Sequence, residues 1–395
     1  MGPLIAVVAS LTGCGKIDET AAVSSTEPST TVPEVGVPAL GGGTGDLAAV
    51  TRTVVVTAAD GLNVPRDLDF NPKVEDELWI INRADDSVTI ARGAGTSDQA
   101  TEHIIDPYAF HFMEEVSSIS FGAVTHDGSD WPTFGTCQET NNTYDGHTHG
   151  DDFMGPTLWS SDPEIFGKSN PDAVAYLSSL YGFYVDLGSH LDMLHESPWC
   201  MGITWEVDNV YWVYDGNDGS IVRYDFQVDH GPGFDDHSDG IAARYVTGEM
   251  AGRTPDVPSH LVYDHDAGVL YIADTGAGVI WRLDPSTATR GATLFSTEPG
   301  TDHHEMEGAT LDVFIDGAAA GIELPSGIEL VDGVLLVGDH ATGVIHAFDA
   351  DGALIDALDT GVGAGALMGL RARSLEDIWF VDGAANEVIR LQPLE

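Results

Sequence analysis

Basic residues are scarce in this sequence. Lysine occurs only at Lys16, Lys73 and Lys168, and lysine and arginine together number 15 against 64 acidic residues, giving a formal net charge of −49. Contacts to phosphate groups need clustered cations, so nucleic-acid binding is excluded as a main function. An acidic, lysine-poor surface is expected of a protein that stays soluble in the high salt of a marine or halophilic habitat, where charge repulsion is screened. A cation-rich partner or bound calcium is the alternative explanation.

The signature motifs of several enzyme classes are missing as well. The chain contains no GxSxG elbow, P-loop, dinucleotide-binding fingerprint, HExxH or CxxC motif. These absences argue against α/β-type serine hydrolases, nucleotide-dependent enzymes and the common zinc motifs. CxxCH is also absent, which excludes covalently attached c-type haem.

The N-terminal segment predicts export rather than a membrane span. Its apolar run, Leu4–Leu11, is too short to cross a bilayer. The sequence Leu11-Thr12-Gly13-Cys14 resembles the bacterial lipobox, which implies a signal peptide at residues 1–13 and a lipid anchor on Cys14. Gly15 in place of aspartate implies the outer membrane or cell surface. Residues 14–50 are predicted to hold the lipidated cysteine and a flexible Ser/Thr/Pro/Gly-rich tether, and residues 51–395 the folded domain.

Two further cysteines, Cys137 and Cys200, complete the set of three. In an oxidising compartment they would form a disulfide. Two buried free thiols are a second interpretation. A thiolate metal ligand is a third, because Cys200 lies on a predicted strand among histidines.

A two-strand phrase is repeated along the chain. Short alternating runs, rich in aromatic and β-branched residues, end in a polar Asp/Asn/Gly turn and enter a second apolar run. The copies are Glu77–Ser87, Asn209–Ser220, Val269–Val279, Val334–Val344 and Asp377–Val388. Repetition of one hairpin unit predicts an all-β fold, a β-propeller.

A shorter apolar phrase ahead of each hairpin predicts the inner strand of a blade. The six phrases begin at Pro65, Val116, Pro198, Pro258, Pro325 and Gly365. The count predicts six blades, and the degenerate second blade is expected to have its outer hairpin at Thr157–Phe166. The last blade is one strand short, and Arg52–Thr57 is predicted to complete it, which removes the exposed edges of the ring.

Histidines gather in segments predicted to face one mouth of the central channel. They lie on an inner strand, on the connections to the third, fourth and fifth inner strands, and in a hairpin turn. Imidazoles that converge from separate loops can hold zinc or copper. The candidate ligands are His190, His195, His237, His260, His304 and His340. His147 and His149, in a long insertion of the second blade, are expected on the opposite face.

Calcium is a secondary candidate. Asp235–Gly240 (DDHSDG) partly matches an EF-hand loop, with aspartate at the first and fifth positions and glycine at the sixth. The third position is His237 and the twelfth is Val246 instead of glutamate, so the full motif is not present. An Asp-rich turn could still bind calcium, and turn formation alone explains the same residues.

The hairpin at Val269–Asp284, with Pro258–Asp264 before it, resembles the NHL repeat, and the resemblance covers roughly residues 51–395. NHL-type propellers include peptidylglycine amidating lyases, which hold a channel zinc through histidines from different blades, and binding proteins without catalysis. The resemblance implies that His260 is the position most like a lyase ligand, followed by His195 and His340. Arg66 and Tyr263 are the nearest counterparts of the family's catalytic arginine and tyrosine.

Two functions fit these features. The first is a divalent-metal-dependent lyase or hydrolase, in which zinc or copper polarises a carbonyl or activates water and Glu196 acts as the base. Its substrate would be a small molecule or peptide in the central channel. The second is a non-catalytic propeller at the cell surface that recognises a peptide, glycan or protein. In either case the membrane is contacted only through the lipid on Cys14, and a closed ring predicts a monomer.

Overall fold

Six β-sheets form the structure, a computed structural model that describes residues 36–125, 129–141, 153–296 and 298–394. Strand β1 is Val50–Thr57. Blade 1 contains β2 (Pro65–Phe70), β3 (Leu78–Asn82), β4 (Ser87–Arg92) and β5 (Ala100–Ile105). Blade 2 contains β6 (Val116–Thr125), β7 (Pro132–Gln138), β8 (Thr157–Ser160) and β9 (His190–Met193). Blade 3 contains β10 (Cys200–Val207), β11 (Val210–Asp215), β12 (Ser220–Asp225) and β13 (Ile241–Tyr245).

The remaining blades repeat this order. Blade 4 contains β14 (Leu261–Asp264), β15 (Val269–Asp274), β16 (Val279–Asp284) and, after an insertion with β17 (Thr289–Thr293) and β18 (Asp302–Glu307), β19 (Thr310–Asp316). Blade 5 contains β20 (Pro325–Val331), β21 (Val334–Asp339), β22 (Val344–Phe348) and β23 (Leu354–Asp359). Blade 6 contains β24 (Leu367–Ser374), β25 (Asp377–Asp382), β26 (Glu387–Pro393) and β1. The helices are α1 (Pro171–Tyr181) and α2 (Gly317–Ala320).

The first strand of each blade lines the central channel. Strands β2, β6, β10, β14, β20 and β24 contact one another in that order, and β24 contacts β2 again. The ring is closed by β1, which pairs antiparallel with β26 as the fourth strand of blade 6. The predicted six-bladed propeller and the closing role of Arg52–Thr57 are therefore confirmed.

Alternating apolar residues build the core between neighbouring blades. Trp79, Trp159, Trp212 and Trp379, each on a middle strand, are at most 2% exposed. Aromatic side chains of this size remove about 150–250 Å² each from water, which makes them large contributors to the stability of the ring. The segment before β1 also takes part, because the side chains of Val37, Ala39 and Leu40 are completely buried against blades 5 and 6. These three residues lie before residue 51, the start of the domain predicted from the sequence.

Blade 2 departs from the predicted hairpin at Thr157–Phe166. Only Thr157–Ser160 is a strand, and the residues after it form turns. The second strand is β7, and the outermost strand is β9, which had been assigned to a loop. Helix α1 lies between β8 and β9. It begins at Pro171, where the Asn170 side chain accepts a hydrogen bond from Asp172 N, and ends at Gly182, whose φ of 78° is left-handed.

Blade 3 is extended by a ribbon from the insertion of blade 4. Strand β18 pairs in parallel with β13, and β17 pairs antiparallel with β18, so this sheet has six strands. The segment Asp302–Glu307 is predicted to lead directly into blade 5. It is instead strand β18, which pairs with the outer strand of blade 3. This ribbon brings the chain around residue 298 next to the outer edge of blade 2.

Cys137 on β7 and Cys200 on β10 are joined by a disulfide, with their Cα atoms 5.1 Å apart. Both residues are completely buried. The bond ties the second blade to the inner strand of the third, and of the three interpretations of this pair it agrees with the first. None of the helices in the described part of the chain is long and apolar enough to cross a bilayer.

Candidate metal centre

Three histidines converge at the outer edge of the ring between blades 2 and 3. His190 lies on β9, while His230 and His237 lie on the connection between β12 and β13. One nitrogen from each ring lies within 4.8 Å of the corresponding nitrogens of the other two, which is close enough for all three to bind one ion. Three imidazoles with a free fourth position are a common ligand set for catalytic zinc.

The Nδ1 atoms of the three rings are held by oxygen atoms of the protein. His190 Nδ1 donates to Leu187 O at 2.9 Å, and His230 Nδ1 donates to Gly231 O at 2.8 Å. His237 Nδ1 donates to Asp192 Oδ1 at 2.8 Å. A proton on Nδ1 leaves the Nε2 lone pair available, and such outer contacts are typical of metal-binding histidines.

The available nitrogens of two rings have no other use within the protein. His190 Nε2 and His230 Nε2 are buried and have no hydrogen-bond partner. Buried polar atoms are normally paired, because leaving one unpaired costs about 1–3 kcal/mol. An ion bound by these atoms would remove that cost, so the residues fit a divalent metal.

Burial keeps two of the three rings neutral. It lowers the pKa of His190 well below that of an ordinary imidazole, with the neighbouring His230 as the second cause. It lowers the pKa of His230 to about 3, with His237 as the second cause. At His237 burial opposes the charged form, but the hydrogen bond and negative charge of Asp192 outweigh it and raise the pKa. Metal binding at His237 would therefore release a proton.

A fourth histidine and a carboxylate lie beside this cluster. His195 Nδ1 is 2.8 Å from Glu298 Oε1, although the ring is not aligned for a hydrogen bond. The ring centroids of His195 and His237 are 5.5 Å apart, and Phe153 stacks on His195 at 3.5 Å. Burial raises the pKa of Glu298. A carboxyl group with a raised pKa is suited to accept and return a proton near neutral pH.

An aromatic cavity opens next to the cluster. Its volume is about 370 Å³. Phe112, in its wall, stacks on the His190 ring with a centroid distance of 3.6 Å, and Leu187, also in the wall, carries the carbonyl that holds His190. The outer part is lined by Tyr108, Phe110, Phe183 and Tyr184. A small apolar or aromatic group bound in this cavity would be separated from the three-histidine cluster by about the width of one side chain.

The predicted ligands divide into one assembled group and three separate positions. His190, His237 and the adjoining His195 are together. His260 lies inside the channel, 3.5 Å from Asp67 Oδ2, and neither of its ring nitrogens has a hydrogen-bond partner. His340 Nδ1 donates to Leu367 O at 3.0 Å near the channel mouth. His304, on β18, has its Nδ1 3.2 Å from Asp302 O.

The three predicted catalytic residues do not share a site. Glu196 accepts a hydrogen bond from Ser296 Oγ at 2.6 Å, and its other oxygen is 3.2 Å from His303 Nδ1, so it anchors the loop that carries Glu298. Arg66 lies at the mouth of the channel. Tyr263 lines a pocket of about 340 Å³ at the opposite end. Of the two glutamates, Glu298 is the one in contact with His195.

The Asp-rich turn at residues 235–240 uses its carboxylates within the fold. Asp236 Oδ1 accepts from Ser238 Oγ at 2.7 Å, and Asp235 Oδ2 accepts from Tyr181 OH at 2.7 Å. These contacts are those of a turn that positions His237. The histidines at 147 and 149, and the lipobox with most of the predicted tether, lie outside the described residues.

His230, Asp192 and Glu298 were missed by the sequence analysis. The alternation His190-Leu191-Asp192 was a usable signal, because an imidazole and a carboxylate two positions apart lie on the same face of a strand. His230 lies seven residues before His237 in the same connection, a spacing that matches no known motif. Nothing local in the sequence connects Glu298 with His195, since their contact depends on the β17–β18 ribbon.

A second ionic group lies at the far end of the channel and gives a pH prediction. Glu329 Oε2 is 3.7 Å from Arg371 Nε, and burial raises the pKa of Glu329 from 4.5 to about 7. A folded state that holds this proton more tightly loses stability as pH rises from 4.5 through 7. Glu329→Gln should therefore be more stable than the wild type at pH 8, by about 3 kcal/mol, and equal to it at pH 4.

Urea denaturation of both proteins at the two pH values measures this difference. The exposed Glu376→Gln is the matched control, and it should follow the wild type. An equal difference at both pH values would show that the effect of Glu329→Gln does not come from its ionisation.

Comparison with known proteins identifies relatives by fold alone. The sequence matches no protein-family model and no curated protein. A putative phosphatase from Bacteroides thetaiotaomicron superposes with a TM-score of 0.55 at 10% identity, over 88% of this chain and 79% of that one. A protein of unknown function from the same organism gives 0.54 at 10% identity, over 87% and 76%. An auxiliary nutrient binding protein, also from that organism, gives 0.51 at 12% identity, over 85% and 70%. This chain thus shares its six-bladed propeller fold with these proteins.

Proposed function

We propose that this protein is a divalent-metal-dependent hydrolase whose centre is formed by His190, His230 and His237. The observation that carries the proposal is the set of three converging imidazoles, each fixed through Nδ1, with two buried Nε2 atoms left without partners. Zinc or copper suits such a ligand set. Bound there, the ion would polarise a carbonyl or lower the pKa of water.

The residues around the ligands supply the other requirements of catalysis. Glu298 accepts the proton of the attacking water and returns it to the leaving group. His195, in contact with Glu298, holds that carboxylate beside the centre. Asp192 fixes the orientation of His237. Phe112 and Phe153, stacked on His190 and His195, keep bulk water away from the reacting atoms.

The aromatic cavity supports a choice of substrate. Its walls carry Tyr108, Phe110, Phe183 and Tyr184, and its inner end reaches Phe112. Apolar pockets of this size suit one ring or a short acyl group. We therefore expect an ester or amide whose apolar or aromatic side occupies the cavity while its carbonyl reaches the metal.

Glu298→Gln should lower kcat for ester hydrolysis by about 10²–10⁴-fold while metal content stays at the wild-type level. The amide keeps the shape of the side chain but cannot accept a proton. The measurement is the hydrolysis of p-nitrophenyl acetate by zinc-loaded protein. Glu164→Gln, an exposed glutamate outside the site, is the control. Equal rates for Glu298→Gln and the wild type would exclude Glu298 as the base.

A binding function is the second candidate, and one observation favours it. An exposed set of large side chains surrounds the C-terminal end of α1, with exposures of 51–67%: Tyr176, Leu180, Tyr181, Phe183 and Tyr184. Surfaces of this kind often contact peptides or glycans. Under this function the three histidines would hold a structural ion, and Glu298→Gln would change neither binding nor any rate.

We also propose that the protein is an extracytoplasmic lipoprotein of the NHL type. The lipobox at Leu11–Cys14 and the Pro-led inner strands support this assignment. The buried disulfide supports an oxidising compartment, since cytosolic thiols are kept reduced. Mass spectrometry of the full-length chain from a bacterial host would detect diacylglycerol on Cys14, and Cys14→Ser would lack it.

A further inference from the structure

Arg66 is a buried guanidinium with almost no partner. It is 5% exposed, and its Nε atom has no hydrogen-bond partner. Its nearest carboxylate in the described part of the chain is Asp256, with 3.9 Å between Arg66 Nη2 and Asp256 Oδ1, and that aspartate side chain is 66% exposed. This contact is too long for a hydrogen bond.

Two other arginines of the ring, Arg244 and the mostly buried Arg371, have hydrogen-bond acceptors within the fold. Arg244, 6% exposed, donates to Asp215 Oδ2 at 2.7 Å, to Ser220 Oγ at 2.6 Å, and to the carbonyl of Glu196. Arg371 lies 3.3 Å from Asp69 and donates to two carbonyls. Arg244 and Arg371 are therefore paired with acceptors inside the fold, whereas Arg66 is not.

The carboxylates around Arg66 lie closer to other arginines. Arg83 is bound to Glu115 at 2.7 Å, to Glu139 at 3.2 Å and to Asp256 at 3.2 Å. A third arginine, Arg253, is bound to Glu139 at 2.8 Å and stacks on the ring of Trp199 at 3.7 Å. Each of the three acidic groups thus lies within ion-pair distance of another arginine, although Glu139 Oε2 itself has no hydrogen-bond partner.

His340 completes the site on the side of blade 5. Its Nδ1 donates to Leu367 O. Burial lowers its pKa, and the nearby Arg66 contributes to the lowering. The pKa of Arg66 is itself lowered, first by burial and then by Arg83. Burial is the main cause of both shifts, and a neighbouring arginine adds to each.

The backbone at this mouth is strained. Val64, Glu115 and Trp199 each immediately precede an inner strand, and their φ angles are 55°, 52° and 56°. A left-handed conformation is unfavourable for a side chain branched at Cβ, as in Val64, and retained strain tends to accompany functional sites. Arg66 follows two residues after Val64, on the first inner strand.

We propose that Arg66 anchors a binding site for a small anion, carrying a carboxylate or phosphate group, in the mouth of the central channel. A planar guanidinium forms two parallel hydrogen bonds with either group. Asp256, which reaches Arg66 from the loop into the opposite blade, would move aside, as its exposure permits. The site is separate from the three-His centre and does not depend on its activity.

The test compares wild type, Arg66→Met and Arg66→Lys by calorimetric titration with inorganic phosphate and, separately, with acetate at constant ionic strength. For at least one anion the wild type should bind saturably, Arg66→Met should raise Kd about 10-fold or more, and Arg66→Lys should lie between them. The anion that responds identifies the ligand group. Arg290→Met, which removes an exposed arginine on β17, should bind as the wild type does.

Stability without the anion provides the second measurement. Since the charge of Arg66 is poorly compensated, Arg66→Met should have a Tm equal to or above that of the wild type in anion-free buffer. A lower Tm would show that Arg66 is structural and would overturn the proposal. The absence of saturable binding of both anions to the wild type, or equal Kd values for wild type and Arg66→Met, would overturn it as well.

Discussion

His230→Ala should remove the bound metal from this protein. The wild type, purified without chelator, is expected to carry close to one zinc or copper ion per chain. The variant loses one of three ligands, and its affinity should fall by at least about 100-fold, because even outer-contact substitutions cost about 10–100-fold. Elemental mass spectrometry and a competition titration with a chromogenic chelator measure both quantities. Asp192→Asn, which keeps all ligands but weakens the support of His237, should lose about 10–100-fold.

Substitution of two other histidines tests whether the metal binds at this centre or elsewhere. His265→Ala, an exposed residue next to Trp205, should keep full metal content. His260→Ala tests the channel, where the NHL resemblance implies a ligand, and it should also keep the metal. Loss of metal in His260→Ala with retention in His230→Ala would move the centre into the channel. A wild type without a transition metal would leave the binding function as the stronger candidate.

Among the substitutions proposed for this protein, removal of the disulfide should cause the largest loss of stability. The Cys137→Ala/Cys200→Ala protein is expected to unfold with a free energy about 4 kcal/mol below that of the oxidised wild type. The bond closes a loop with a sequence separation of 63 residues. Restricting a loop of that length lowers the entropy of the unfolded chain, and this raises the free energy of unfolding by about 4 kcal/mol. Two buried sulfur positions become small cavities, which adds to the loss.

Urea denaturation with and without reductant measures the effect, and reduced wild type should resemble the double variant. Cys14→Ser, outside the described residues, is the control and should unfold like the wild type. The double variant should keep its metal, which separates the disulfide from the thiolate-ligand interpretation of Cys200. Equal denaturation midpoints for the oxidised wild type and the double variant would contradict the prediction.

The blades could be predicted because their signal is local. Alternating residues such as those of Val269–Asp274 specify one strand face, and the following Asp-Thr-Gly turn specifies a hairpin. A short apolar phrase, led by proline in four of six cases, marks each inner strand. The closing strand β1 was also predictable, since a six-bladed ring with one strand missing leaves one place for Arg52–Thr57. Each of these inferences needs only neighbouring residues and a count.

The rest depends on partners chosen at long range. Strand β9 (HLDM) is short and lacks β-branched residues, so its sequence resembles a loop, and only its pairing with β8 makes it a strand. The pairing of β18 with β13 joins segments about sixty residues apart. The three histidines that could hold a metal come from β9 and from the connection after β12, without any fixed spacing. The sequence predicts His190 and His237 as candidate ligands. Because no fixed spacing links the segments, it does not predict that these two lie together with His230 away from the channel.

The ribbon of β17 and β18 has a consequence for how the site can open. It belongs by sequence to blade 4, yet it is held to blade 3 by one parallel strand pairing and by side-chain contacts such as that of Ser296 with Glu196, and most of β17 is exposed. Local unfolding of such a unit costs less than unfolding the ring. Glu298 can therefore leave His195 while all six blades remain intact. Under the proposed function, access to the buried histidines would depend on the opening of this ribbon, a step separate from the chemical reaction.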